Sequence, residues 1–141
     1  MARVDFYVLN ATGRDACLRF ACRLAEKAYR LEHTVRILAA DRGEAEQVDE
    51  LLWTWRDGSF VPHEILAGGR APESPVTISC GDTGPGGSDL LINLRDALPD
   101  AAETFPRIAE IVTSDDEQRR RSRRRFAAYR EHGHALETHK L

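Results

Sequence analysis

The sequence predicts an α/β layered fold with a mostly parallel sheet. Two observations carry that expectation. Short segments rich in β-branched and aromatic residues recur along the chain, and segments with helical periodicity separate the early ones. The 141 residues, 42% hydrophobic with a formal charge of −3, suit one globular domain, 1–141, with its own core. No apolar run reaches the ~18 residues of a membrane span, so no membrane partner is expected. The opening "MARVDFYVLN" carries Asp5 inside its apolar stretch and lacks a signal-peptide cleavage pattern.

The first strand is "VDFYVL" (4–9), followed by the turn-like "NATGRD". Residues 14–31 place Cys17, Phe20, Ala21, Leu24, Ala28 and Leu31 at three- and four-residue spacings, which predicts an amphipathic helix with those residues inward. "TVRILAA" (34–40) is a second strand, and "EAEQVDELLWTW" (44–55) a second helix burying Val48, Leu51, Leu52 and Trp55. "SFVPHEIL" (59–66) reads as a loop leading to a short strand, because Pro62 cannot donate to a central ladder. "AGGRAPESP" and "GDTGPGGS" are turn-rich connectors around the strand "VTISC" (76–80). "DLLINL" (89–94) and "RIAEIVT" (107–113) complete the predicted strands.

A helix over about 115–132 follows, and it holds six arginines within positions 119–125. Ser114 and Glu117 have the spacing of a capping box, and three acids in the first turn complement the helix dipole. Gly133 stands where a left-handed C-terminal cap would sit, and 133–141 reads as a short polar tail. From Asp115 onward, seven arginines and one lysine face five acids, a net of +3; the first 114 residues therefore carry −6. A protein tracking a nucleic-acid backbone offers a broad basic surface. One basic helix on an acidic body favours a local site instead.

Common enzyme signatures are absent. No G-x-G-x-x-G follows the first strand, and no G-x-x-x-x-G-K-[ST] occurs. "HGH" with His139 has no ligand partner at metal-site spacing, so neither a metal nor a cofactor is expected. Cys17, Cys22 and Cys80 contain no C-x-x-C pair and read as free thiols of a reducing cytosol.

On a helix Arg119, Arg123, Phe126 and Arg130 share one row. Cations flanking an aromatic suit a short acidic peptide with an apolar tip, since guanidinium binds carboxylates bidentately. A solvated face is the plain alternative for the block, and Arg120, Arg121, Arg124 and Arg125 fit it, steering ligands from a distance. In "LLWTWRDGSFVPH" (51–63), Trp53, Trp55 and Phe60 either all close the core or leave an exposed aromatic patch of the interface kind.

With these residues in view, the chain resembles the chi subunit family of bacterial DNA polymerase III. The resemblance runs through "FYVL", "LW…SFVPH", "DLLINLR", "EIV" and the terminal "RRFAAYR", in that order. It implies a Rossmann-like three-layer fold, helices on both faces, no active site and a cytoplasmic, nucleoid-associated location. It also implies two partners. Trp53 and Phe60 resemble the patch facing the psi subunit, which ties chi to the clamp loader. Arg119, Arg123, Phe126 and Val112 resemble the site for the acidic C-terminal tail of single-stranded DNA-binding protein (SSB). Phe126 stands where relatives can have tyrosine, which removes a hydroxyl. The function expected is a non-catalytic replisome adaptor meeting nucleic acid mainly through SSB. Direct single-strand binding through the arginines is the alternative. A small enzyme for a phosphorylated ligand near "NATGRD" is a third reading.

Overall fold

The computed structural model describes residues 2–54, 60–66, 72–81 and 87–141. Strand β1 (Arg3–Val8) leads to helix α1 (Arg14–Arg30), and β2 (Val35–Ala39) to α2 (Arg42–Thr54). Then come β3 (His63–Ile65), β4 (Val76–Cys80), β5 (Leu90–Asn93) and a 3-10 turn at Ala102–Thr104. Strand β6 (Arg107–Val112), helix α3 (Asp116–Glu131) and β7 (Ala135–Lys140) end the chain. The sheet order is β3-β4-β2-β5-β6-β1-β7, and every pairing is parallel. This is the predicted three-layer α/β fold.

Strand alternation divides the core in two. Tyr7, Ile37, Ile92, Ala109 and Ile111 pack with α1 and α2, while Val4, Phe6, Leu38, Leu91, Ile108 and Val112 pack with α3. Parallel strands covered on both faces read as near-continuous apolar runs, and β2 is buried at all five positions.

Three expectations are corrected. Residues 135–140 are not a frayed tail but β7, a parallel edge strand in register with β1. Its polar outward side chains hid it, because an edge strand needs only one ladder. The capping box does not form: Asp115 is the N-cap, Ser114 Oγ donates to the Ala11 carbonyl at 2.9 Å, and Glu117 pairs with Arg120 and Arg121. The inward face of α1 is turned from the predicted one. Cys17, Leu18, Ala21, Cys22, Ala25 and Ala28 are buried, Phe20 and Leu24 lie on the flank, and Leu31 is 60% exposed.

At the other end of α3, Gly133 takes φ +81°, and its amide donates to the Arg130 carbonyl at 3.0 Å. That left-handed turn sends the chain straight into β7. The expected burial of Trp55, and the connector segments at 67–71 and 82–86, lie outside the described residues.

Candidate protein-binding sites

Helix α3 is anchored by a buried polar cluster. Ser122, Arg125 and Tyr129 are its buried residues. Arg125 Nε donates to Glu110 Oε1 at 2.9 Å, and Tyr129 Oη donates to Glu110 Oε2 at 2.6 Å. Asn93 Nδ2 adds a third bond to Glu110 at 2.7 Å. Burial pushes the Glu110 carboxyl up from its ordinary value, opposed by the Arg125 charge and the bonds from Tyr129 and Asn93. The sequence expectation for Arg125 is therefore overturned. It is 5% exposed and pairs across the core rather than steering from solvent.

With Arg125 and Tyr129 held inward, helix geometry turns the remaining arginines out. Arg119, Arg123 and Arg130 are exposed, and none of the three has an ion-pair partner among the described residues. Arg120 and Arg121 are compensated by Glu117, and Arg121 also by Asp96 at 2.7 Å. Phe126 is half-buried at the edge of the α3 core, its ring 5.3 Å from that of Phe6. Val112 belongs to the same apolar cluster but is only 4% exposed. It lies beneath the surface that Phe126 borders and would support a ligand more than touch it.

The second candidate surface lies at the far edge of the sheet. Trp53 is 53% and Phe60 66% exposed, with ring centroids 5.9 Å apart. Of the two readings of the aromatic segment, the exposed patch is the one found for this pair. The His63 ring packs at a tilt against Trp53 at 4.5 Å, and its nitrogens meet the Val61 and Asp49 carbonyls at 2.7 and 3.0 Å. That ring ties β3 to α2 and props the patch from below.

In the crevice after β1 the groups that could hold an anion are engaged by the chain itself. The Gly13 amide, at the N-terminus of α1, donates to Asp115 Oδ2 at 3.1 Å. A phosphate would take that place in a nucleotide-binding relative. Bonds from Thr113 and the Gly13 amide hold the Asp115 carboxyl below its ordinary value, so it stays charged there. Arg14 is spent on Glu44, at 2.7 and 2.5 Å, and on the Leu94 carbonyl.

Asp5, Glu137 and His139 gather their ligand atoms within 4.8 Å of one another. No sequence spacing announces this cluster, because β7 brings it together only in the fold. Arg3 and Arg107 already neutralise its carboxylates, with Arg3 2.6 Å from Glu137 and Arg107 3.0 Å from Asp5. A cation would have to displace both guanidinium groups.

Residues 1–137 match the family profile described as "DNA polymerase III chi subunit, HolC". The chain belongs to the DNA polymerase III chi subunit family. A DNA polymerase III subunit chi from Pseudomonas aeruginosa is 38% identical over 141 residues, covering 100% of this chain and 98% of the relative. The Escherichia coli subunit of that name is 31% identical over 143 residues, covering 98% and 97%. Among solved structures, T4 UvsW superposes with a TM-score of 0.66 at 6% identity, over 99% of this chain and 41% of that one. That last likeness is one of fold alone. Among the described residues, no helix is long and apolar enough to cross a membrane.

Proposed function

We propose that this chi-family chain is a non-catalytic adaptor of the replisome with two protein-binding surfaces. One, at Trp53 and Phe60, takes the psi subunit and through it the clamp loader. The other, on α3, takes the acidic C-terminal tail of SSB. Arg119 and Arg123 pair with the tail's acids and terminal carboxylate, and Phe126 borders the seat of its last phenylalanine.

The observation that carries the second assignment is the contrast among the arginines of one helix. Arg125 is consumed by Glu110, while Arg120 and Arg121 are consumed by surface acids. Arg119, Arg123, Arg124 and Arg130 remain exposed and without an ion pair among the described residues. Of these, Arg119 and Arg123 stand one turn apart on the row that continues to the half-buried Phe126 ring. Unpaired guanidinium groups next to apolar surface match a ligand that is both acidic and aromatic-ended. An extended phosphate track would ask for cations spread over a wider face.

Calorimetric titration with an SSB tail peptide, and with the same peptide lacking its final phenylalanine, tests this reading. The full peptide should bind and the shortened one should lose most of its affinity. Equal affinity for both, or tight binding of single-stranded oligonucleotide at moderate salt without SSB, would overturn it in favour of direct nucleic-acid binding.

A further inference from the structure

The face of the sheet that carries α1 and α2 is incompletely covered. Strands lie about 4.8 Å apart and a packed helix is about 10 Å wide, so each helix covers roughly two strands. Helix α2 packs over β2, β3 and β4, and α1 over β2 and β6. At the other edge this face is covered only in part, with α1 reaching β1 through the contact of Phe20 with Tyr7. The result is a groove of about 550 Å³ between the flank of α1 and the open face of the β1 edge.

Its apolar lining is the flank of the α1 stripe, which the core covers only in part. Phe20, Leu24 and Leu31 line the helix side, with Tyr7, Leu90 and the terminal Leu141 opposite. Tyr7 is fixed in place, its ring 5.4 Å from Phe20 and stacked on His139 at 5.0 Å. Leu31 is 60% and Leu141 62% exposed, an unusual density of bare leucine for one small surface.

The charged side chains that line the groove, Arg23, Lys27 and Arg107, are all basic, although the chain as a whole is net −3. Arg107 is compensated by Asp5. Arg23 and Lys27 are exposed, stand four residues apart on α1, and have no ion-pair partner among the described residues.

We propose that this groove seats an acidic amphipathic helix from a partner protein, separate from the surfaces at α3 and at Trp53–Phe60. The helix would extend the α1–α2 layer outward over the partly covered β1–β7 edge. Its apolar side chains would pack on Phe20, Leu24, Leu31 and Leu141, and its acids would meet Arg23 and Lys27. The run from Phe20 to Leu31 is about 16 Å at 1.5 Å per residue, enough for three turns of a docked helix. A phosphate backbone would leave this leucine surface uncompensated, which favours a peptide over a nucleic acid.

The test uses the full chain labelled for NMR and a capped peptide of about 16 residues, leucines on one face and glutamates flanking them. Amide shift changes should concentrate on residues 20–31 and on β7. The double change Arg23→Glu/Lys27→Glu, at exposed positions, should weaken binding about tenfold or more, and Leu31→Asp should do the same. Titration with an SSB tail peptide in these variants should be unchanged, which separates this site from the one on α3. The proposal is overturned if the peptide does not bind, binds the variants equally, or shifts α3 instead. It is equally overturned if oligo(dT) competes for the same residues, or if those residues shift with protein concentration alone, as a second copy would cause.

Discussion

Glu110 on β6 and Arg125 on α3 meet at 2.9 Å in the core, with their side chains 1% and 5% exposed. This pair sets the rotation of α3 about its own axis. Once Arg125 points inward, Arg123 and Arg119 must point elsewhere, because successive helix residues are turned by about 100°. A buried structural charge therefore sets where the exposed ones, including those of the proposed tail site, can point.

Removing one member of such a pair strands the other in the core. Glu110→Ala should cost about 3–5 kcal/mol of unfolding free energy, as for other buried pairs broken on one side. The exposed neighbour change Arg124→Ala should stay within about 0.5 kcal/mol. Replacing both partners, Glu110→Leu with Arg125→Met, should recover most of the loss. Urea denaturation of the three variants measures this.

The Trp53–Phe60 patch should separate binding from stability. Phe60 is 66% exposed, so Phe60→Ala should alter stability by no more than about 0.5 kcal/mol. If the ring is an interface anchor, the same change should weaken psi binding about thirtyfold or more, the scale of a hot spot. Thermal melts and a pull-down titration with purified psi read the two effects independently.

The edge strand β7 should loosen in acid. Burial raises the Asp5 carboxyl, but bonds from His139 and Arg107 and the charge of Arg3 outweigh it, leaving it below its ordinary 3.8. A depressed carboxylate stabilises the fold above the unfolded value and loses that contribution as pH falls through the folded one. The protection factors of amides 135–140, with intrinsic exchange divided out, should therefore fall below about pH 4. In Asp5→Asn protection should be low already at neutral pH and should vary little over the same range.

The thiols should differ in reactivity. Burial pushes Cys17 up to about 11 and Cys22 up to about 12, and both are buried. Cys80 is half-buried. Alkylation of the native protein at pH 8 should modify Cys80 first, and the other two only with denaturant, as peptide mapping by mass spectrometry would show.

The parts of the fold with local signals were legible. Strands such as "VTISC" and "DLLINL" announce themselves by β-branched and aliphatic runs, because parallel strands are covered on both faces. Strand β7 carries no such run, since its ladder to β1 and its polar pairings do not require apolar residues. That Arg119, Arg123 and Phe126 share one face follows from helical spacing, yet the same spacing cannot say which arginine goes inside. Arg125 is singled out by Glu110, fifteen residues away on another element, and that is tertiary information. The width of the α1 stripe was visible, but not that part of it would remain uncovered.

The central claim is that Arg123 receives an acidic tail. The direct measurement is the dissociation constant of an SSB tail peptide for the wild type and for Arg123→Ala, at low and at moderate salt. Arg123→Ala should bind at least tenfold more weakly at low salt, with a shallower salt dependence and an unchanged melting temperature. Equal affinity of the two proteins, or weaker binding only in step with lost stability, would contradict it.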